Sequence, residues 1–220
     1  MAIDHNQMLL ALRAKLASLV VCTTGSMSLA ATGTTFVRTV GSFLTDGFFA
    51  GMEVVGTGFG AANNAASTVA SVTALTLTVN RTLETEVAAG ARTLAVGQPS
   101  EVGRANEDFT PTPGKPHFEE QYLPGPTMQL TVGPGGTIEA EPMLVIDVSV
   151  GENLGEGAIN AYRTALMRHL APKVTMTLAN GDFLRVRTDT GPYAVQTMNL
   201  KSGWATTPVS FPLRLYTINS

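Results

Sequence analysis

A proline-rich stretch from Asp108 to Thr127 (DFTPTPGKPHFEEQYLPGPT) limits local structure more than any other part of this chain. Pro111, Pro113 and Pro116 each fix φ and lack an amide hydrogen. The residue before each proline is also pushed towards extended backbone. We therefore expect the segment that precedes Lys115 to be an extended arm with little main-chain pairing.

The residues from His117 to Leu123 are predicted to form a strand that ends where Pro-Gly-Pro follows at 124–126. One predicted face carries Phe118, Glu120 and Tyr122, and the other carries His117, Glu119, Gln121 and Leu123. A strand with two adjacent carboxylates, entered from a stiff arm, is poorly suited to a buried central position. We expect it to form a subunit contact or the wall of a channel.

The neighbouring carboxylates Glu119 and Glu120 face opposite sides of that strand, so they cannot form a catalytic pair with each other. One interpretation is that both are solvated strand residues. The other is that one of them lines the lumen of an assembly, where its charge repels the DNA backbone and lets DNA slide without binding.

Composition favours a protein whose surface is covered in an assembly. Only 14% of the 220 residues are charged, against about a quarter in ordinary soluble domains. A β-rich fold with small side chains is the alternative explanation. The net charge of −3 argues against a protein that binds nucleic acid through its phosphates. No signal sequence or membrane span is evident, so we expect a soluble protein made in a cytoplasm.

The amino-terminal half predicts one helix followed by a small β unit. Asp4 is placed as the N-cap of a helix over 3–20, and Leu12 and Leu16 lie on its apolar stripe. From residue 23 to 98 the composition is dominated by Thr, Ala, Gly and Val, with few charged residues. About five short strands are expected there, at 35–40, 52–55, 68–72, 75–79 and 92–96, in a compact barrel or sandwich.

The carboxyl-terminal half predicts a second helix among strands. A loop is expected at 124–142, a strand at 143–150, a helix at 155–171 and a hairpin around Asn180-Gly181. Pro208 and Pro212 indicate that the last strand is an edge or bulged strand. The predicted fold class is α+β, with two helices packed on one face of an antiparallel or mixed sheet and an inserted small all-β domain.

No catalytic or cofactor-binding pattern is present, so we expect neither an enzyme nor a cofactor or metal. His5, His117 and His169 lack partners at metal-ligand spacing. Cys22 continues an apolar run and is expected to be a small buried residue. Gly56, Gly58 and Gly60 are interpreted as a turn in a β domain and not as a dinucleotide loop.

Several segments, in their order, resemble the tail terminator proteins of long-tailed bacteriophages. They are DHNQMLLALRAKLASL (4–19), NEDFTPTPGKPHFEEQYLPGPT (106–127), PMLVIDVSVG (142–151), INAYRTALMRHL (159–170), VTMTLANGDFLRVRT (174–188) and GWATTPVSFPLRLY (203–216). The segment 35–89 instead resembles a small β module found in assorted phage virion proteins. The resemblance implies a discontinuous terminator-like domain at 1–22 and 99–220, with residues 23–98 inserted as a small all-β domain.

The resemblance also implies a function. Tail terminators form a homohexameric ring at the head-proximal end of the tail tube, end tube polymerisation and present a docking surface to head-completion (neck) proteins. The implied partners are therefore further copies of the chain, the tail tube protein and neck proteins, with DNA passing through the lumen and no membrane involved. The implied location is the virion tail, after synthesis in the host bacterial cytoplasm.

Under this resemblance, thirteen residues are candidates for functional contacts. The subunit or tail-tube interface is expected to include Phe109, Pro111, His117, Phe118, Gln121, Tyr122, Thr127, Met128, Leu130, Val132 and Ile138. Glu119 and Glu120 are the candidates for lining the lumen. The loop 127–138 is expected to become ordered on docking.

Two other structural roles stay open on the sequence. A head-side neck protein, either a connector or a stopper, would share the virion setting and the ring symmetry. A receptor- or carbohydrate-binding tail-tip protein would use the Thr-rich β unit, although aromatic residues suited to stacking on sugars are sparse there. Binding to tail tubes would indicate a tail terminator, and binding to filled heads would indicate a head-side neck protein.

Overall fold

The computed structural model describes most of the chain. The described residues are 4–105, 107–131, 136–152, 154, 156–194, 199–201 and 203–218. Strands make up 45% of the structure and helices 15%, arranged as a closed six-stranded barrel and a half-barrel sheet. The α+β prediction, two helices packed on one face of a sheet, is therefore wrong. Segments interpreted as loops pair as strands, and they make this a mostly β protein.

The first helix, α1 (His5–Ala17), begins where the sequence predicts. The Asp4 carboxylate accepts hydrogen bonds from the main-chain N–H groups of Asn6 and Gln7, at 3.0 and 3.1 Å. Leu12 and Leu16 are buried, as the apolar stripe predicts. The helix ends before the predicted Val20, because that residue already belongs to a strand of the barrel.

The amino-terminal half forms the barrel. Its strands are β1 (Val20–Thr23), β2 (Met27–Thr32), β3 (Thr35–Arg38), β4 (Glu53–Thr57), β5 (Ser67–Val72), β6 (Thr76–Val79) and β7 (Glu86–Gly97). They follow the order β1-β7-β2-β3-β6-β5-β4, and an additional pairing of β7 with β4 closes six of them into a ring. A barrel, one of the two predicted forms, is what the pairing produces.

The length of β7 explains how the barrel closes. Its first half pairs with β2, whereas residues 93–96 pair with β4. Between the two halves Ala91 has a φ of 63°, a left-handed value that bends the strand. Next to the bend Arg92 is buried, where it pairs with Glu86 at 2.6 Å and lies 4.7 Å from the centre of the Phe59 ring.

A one-turn helix, α2 (Ala61–Asn64), follows Gly56 of β4 and the two glycines after that strand, Gly58 and Gly60. The Gly60 N–H donates to the Glu86 carboxylate at 2.9 Å, and the Asn63 amide also donates to it. A carboxylate of the chain itself therefore occupies the position that a bound phosphate would need. This agrees with the interpretation of these glycines as part of a β domain, although the sequence did not predict the helical turn.

The carboxyl-terminal half forms the half-barrel sheet. Its strands are β8 (Glu101–Gly103), β9 (His117–Leu123), β10 (Thr127–Gln129), β11 (Thr137–Ala140), β12 (Met143–Gly151), β13 (Thr175–Thr177), β14 (Phe183–Val186), β15 (Tyr193–Ala194), β16 (Asn199–Lys201) and β17 (Trp204–Ile218). The main path is β10-β11-β17-β12-β9-β8, and β14, β15 and β16 pair with the other flank of β17. The region predicted as a loop at 124–142 thus contains two strands.

The strand β9 has the predicted bounds but not the predicted position. It pairs with β12 along its whole length and in parallel with β8, so it is an inner strand. The last strand β17 is central as well, and not an edge. The Pro212 carbonyl accepts from the N–H of Arg187, so the ring nitrogen of Pro212 faces the same flank, between β14 and β15. The missing N–H of Pro212 therefore interrupts no pairing among the described residues, and Pro208 lies opposite Asp147 of β12.

The third helix, α3 (Gly157–His169), contacts β12, β17 and β1. Its predicted apolar stripe is confirmed, since Ile159, Tyr162 and Leu166 are all buried. Burial raises the pKa of the Tyr162 hydroxyl above its usual value. Within the described ranges, no helix is long and apolar enough to cross a bilayer.

A buried carboxylate joins the barrel to the residues that lead into the half-barrel. Glu53 of β4 is 5% exposed and accepts hydrogen bonds from the Ser100 N–H at 2.9 Å and the Ser100 hydroxyl at 2.8 Å. Its own N–H donates to the Tyr162 hydroxyl at 3.2 Å. One residue of the barrel therefore fixes both the entry to β8 and the middle of α3.

Replacing this carboxylate should destabilise the whole chain. Glu53→Ala removes a buried carboxylate that accepts two hydrogen bonds from Ser100, and we expect the free energy of unfolding to fall by about 2–3 kcal/mol. Glu84→Ala is the matched control, because the exposed Glu84 side chain is replaceable at a cost below about 0.5 kcal/mol. Urea unfolding followed by circular dichroism measures both. Equal stability of the two variants would contradict the role of Glu53.

Candidate interaction surface on the half-barrel

The two faces of β9 have different surroundings. On its inner face Phe118 packs edge-on against Tyr162, with ring centres 5.6 Å apart. The Glu120 carboxylate forms an ion pair with the Arg13 guanidinium of α1, at 2.9 Å. The Tyr122 hydroxyl lies 2.8 Å from the Nδ1 atom of His5. The inner face is thus covered by the two long helices.

This burial changes the meaning of two predicted site residues. Phe118 is 1% exposed and Glu120 is 4% exposed. Neither side chain is available for a subunit contact or for a channel lumen in this fold. Tyr122 is half-buried, and burial raises the pKa of its hydroxyl. Glu120 pairs with a residue far away in the sequence, so the pattern around 117–123 could not reveal it.

The ion pair of Arg13 with Glu120 should contribute to stability. Arg13→Met leaves a buried carboxylate unpaired, and because the arginine is partly exposed we expect a loss of about 2 kcal/mol in the free energy of unfolding. Lys15→Met on the same helix is the control, since among the described residues Lys15 has no ion-pair partner. If chemical unfolding shows the same stability for both variants, the ion pair does not hold α1 to the sheet.

We call the opposite side of this sheet the outer face. It is formed by alternate residues of β9, β12 and β17, with contributions from β10, β11, β14 and β15: His117, Glu119, Gln121, Leu123, Met128, Glu139, Met143, Val145, Asp147, Ser149, Phe183, Tyr193, Trp204, Thr206, Pro208, Ser210, Pro212, Arg214 and Tyr216. The exposed apolar members are Leu123, Met128, Phe183, Tyr193 and Tyr216. Single exposed apolar residues are ordinary, but a run along one face marks an interaction surface.

A row of side chains crosses this face. Phe183 is paired with Tyr216, Tyr216 with Glu139, and Glu139 with Met128, so all four point to the same side. Phe183 and Met128, at the ends of the row, are 55% and 54% exposed. The sequence analysis identified Met128 but missed Phe183 and Tyr216. In their own strands Phe183 and Tyr216 alternate with buried leucines. That alternation indicates that their side chains lie on the outer face.

Two arginines beside the row, Arg214 and Arg187, are paired with carboxylates of the chain, one of which is Glu139 of the row itself. Arg214 pairs with Glu139 and, at 2.8 Å, with Glu141, while Arg187 pairs with Glu141 at 2.9 Å and with Asp189. The hydrogen bond to Glu141 raises the pKa of Arg214, and the hydrogen bond from Arg187 holds the pKa of Asp189 below its usual value. This network fixes β11 against β17, and the exposed apolar members of the row are Met128, Phe183 and Tyr216.

The β10–β11 hairpin replaces the predicted mobile loop at 127–138. Thr127, Met128 and Leu130 are exposed, and Ile138 is half-buried where β11 pairs with β17. All of β10 is exposed and forms the end of the main path of the sheet. Val132 lies outside the described residues.

The proline arm folds back onto its own chain. The Phe109 ring covers Gly103, where an added Cβ would lie only 2.6 Å from the ring. The Thr112 N–H donates to Glu101 at 2.8 Å, and Lys115 pairs with Glu101 at 3.7 Å. Burial alone would raise the pKa of Glu101, but the Thr112 hydrogen bonds and the Lys115 charge outweigh it, so this pKa is lowered. The arm has no strand pairing, as expected, but it is not extended throughout: it turns at Pro113-Gly114, where the Lys115 N–H donates to the Thr112 carbonyl at 3.1 Å. The contacts with Gly103 and Glu101 anchor it.

A pocket of about 390 Å³ lies where the arm meets the outer face. It is lined by Phe109, Pro111, His117, Glu119, Ser149, Trp204 and Thr206. His117 is only 2% exposed, so it forms part of a wall and not a projecting contact. Four of the thirteen predicted residues thus meet in one place, together with Trp204.

In the described part of the chain, no group of three His, Cys, Asp or Glu residues is placed to hold a metal ion. Burial raises the pKa of the Cys22 thiol to about 12, which fits its predicted role as a small apolar residue.

Comparisons with known proteins give little further information. No protein-family model matches the chain, and no curated protein matches it. One solved structure, whose name states no function, is 18% identical to this chain over 54% of its length and 79% of that protein, with a TM-score of 0.43. At this level of similarity nothing about the function follows.

Proposed function

We propose that this protein is a structural component of a phage virion, a ring that caps the head-proximal end of the tail tube. The proposal rests on the order of the sequence segments that resemble tail terminators. One structural observation supports it most: the half-barrel sheet ends in β10, whose residues are all exposed. Open sheet edges of this kind are sites where another chain adds a strand.

A ring requires two different surfaces on each subunit, because a head-to-tail contact closes only when one patch meets another. The hairpin edge with Thr127, Met128 and Leu130 supplies the first surface. The apolar row on the outer face, with Phe183 and Tyr216, supplies the second. The low charged fraction of the chain suits a protein whose surface is largely covered by neighbours.

The remaining partners follow from the position of such a ring. The tail tube protein binds one side of it, neck proteins bind the other, and DNA passes through the lumen without specific binding, in keeping with the net charge of −3. Of the two carboxylates expected to line the lumen, only Glu119 is substantially exposed.

Charges placed on the hairpin should prevent ring formation. We expect the wild-type chain to form six-membered rings by native mass spectrometry and negative-stain imaging. Met128→Lys combined with Leu130→Lys should raise the concentration needed for assembly at least about tenfold, because two apolar contacts become cations. Point variants are preferable to deleting 127–138, since β11 pairs with the central strand β17.

The matched control places the same charges on the barrel. Val40→Lys with Val87→Lys changes two side chains that are 63% and 82% exposed, and it should leave assembly unchanged. Both double variants should keep the melting temperature of the wild type. A wild-type chain that stays monomeric at all accessible concentrations would exclude the ring.

The tail-side position has its own test. Purified rings should bind preformed tail tubes and stop their growth, and they should not bind filled heads without tails. Binding to filled heads and not to tubes would assign the protein to the head side of the neck, as a connector or stopper.

A further inference from the structure

The half-barrel sheet has a second open edge besides β10. Around residues 213–218 of β17 the sheet is five strands wide, in the order β10-β11-β17-β14-β13. Strand β13 pairs with β14 and with no other described strand. Thr175 and Thr177 are exposed there, whereas Met176 between them is buried. Among the described residues, this part of the sheet therefore has a free strand edge on both sides.

The hydrogen bonds of the β10–β11 hairpin show which main-chain groups face the first edge. The Leu130 N–H donates to the Thr137 carbonyl at 2.8 Å, so the even-numbered residues of β10 face β11. Main-chain polar groups of an antiparallel strand alternate between its two flanks. The N–H and C=O groups of Thr127 and Gln129 therefore point to the free edge.

The β13–β14 hairpin gives the same assignment for the second edge. The Leu178 N–H donates to the Asp182 carbonyl at 2.9 Å, so even-numbered residues face β14. The N–H and C=O groups of Thr175 and Thr177 consequently point outwards. Arg185 of β14 lies beside this edge, but it donates to the Thr175 hydroxyl and not to the main chain. Each edge thus offers two donors and two acceptors.

Neither edge strand carries the features that usually prevent pairing with another chain. Natural proteins protect strand edges with charged side chains, prolines or bulges. The three residues of β10 and the three of β13 include no charge and no proline, and their registers are regular. The β8 end of the sheet differs, because the Phe109 ring covers Gly103 and the Thr112 N–H donates to Glu101.

The two open edges run in the same direction and lie at the same level of the sheet. β10 and β13 are each separated from β17 by one strand, and every pairing between them is antiparallel. Both therefore run parallel to β17. One row of directly paired residues joins the two edges: Met128, Glu139, Tyr216, Phe183 and Thr177.

We propose that the ring is held together by main-chain pairing of β10 in one copy with β13 in the next, in the parallel sense. The assignment rests on the proposed ring and names the two edges that close it. In a parallel pair, directly opposite residues share a face, and only one of them turns its N–H and C=O towards the partner. Met128, whose main chain faces β11, therefore lies opposite Thr175 or Thr177. The row on the outer face continues from one copy into the next.

The direction of the edges makes a second copy the fitting occupant. Contact between two different edges is head-to-tail, which is the type of contact that closes into a ring. Because β10 and β13 run in the same direction, no copy has to be inverted, and all outer faces stay on one side. Pairing of β10 with β10 of another copy is instead two-fold, so it stops at a dimer.

Cysteine pairs test this contact directly. Met128→Cys combined with Thr175→Cys, and Met128→Cys combined with Thr177→Cys, cover the two registers. The paired positions lie four strands apart in one chain, so a disulfide within a chain is not expected. We expect mild oxidation of at least one of the two variants to give a ladder of linked copies, up to six, on a denaturing gel. Dithiothreitol should collapse the ladder to the monomer.

The controls keep the number of thiols and change their place. Met128→Cys with Val87→Cys moves one thiol to the barrel, where residue 87 is 82% exposed, and should give no ladder. The native Cys22 is buried and is shared by all variants. Met128→Cys alone should run as a monomer. Dimers from this single variant would show that two β10 edges pair with each other, which overturns the proposal.

Proline substitutions test the main-chain bonds independently. Gln129→Pro and Thr177→Pro each remove one outward N–H group, and prolines are tolerated at such edge positions. Either variant should raise the concentration needed for ring assembly at least about tenfold at an unchanged melting temperature. Gln129→Ala keeps the N–H group and should assemble like the wild type. Equal losses in Gln129→Pro and Gln129→Ala would assign the contact to the side chain and contradict main-chain pairing.

The outcomes separate this contact from the proposed function. Six-membered rings of both cysteine variants that never cross-link keep the ring and overturn the pairing of β10 with β13. Ladders that run beyond six copies, with open filaments on negative-stain images, support the pairing and contradict the ring. A chain that stays monomeric and gives no ladder overturns both.

Discussion

The main-chain pairing of β17 is the constraint on which the half-barrel depends. This strand pairs with β11 and β12 on one flank and with β14, β15 and β16 on the other. Pro212 is compatible with such a central position because its ring nitrogen faces the gap between β14 and β15. Those two strands must therefore be separate, and the interruption between them follows from the sequence of β17 itself.

The sequence predicts an element well where the signals that bound it are local. Prolines on both sides define β9, Asp4 caps α1, and Asn180-Gly181 sets the hairpin between β13 and β14. The prediction fails where pairing between strands that are distant in the sequence determines the structure. The region 124–142 has the glycines and prolines of a loop, yet β11 gains its hydrogen bonds from a strand near the carboxyl end of the chain. Enough such strands turn a predicted α+β fold into a mostly β one.

The candidate site shows the same limit. Alternation correctly placed Glu119 and Glu120 on opposite faces of β9, but it could not tell which face the helices cover. The answer comes from Arg13, which is close to Glu120 only after folding. The pocket was partly predictable, since Phe109, Pro111, His117 and Glu119 were all candidates. Trp204 joins them through the register of β12 with β9 and β17, which no local pattern encodes.

The low charge of the chain acquires a more specific meaning from the ion pairs. Arg13, Arg38, Arg92, Arg187 and Arg214 each pair with a carboxylate of the same chain, so part of an already small charged fraction is used to fix internal geometry. The outer face then presents exposed apolar side chains, an exposed strand at the end of the sheet and an aromatic-walled pocket. Apolar surface is the one of these three that is costly to leave in water, whereas the polar groups of a strand edge or a pocket are hydrated there.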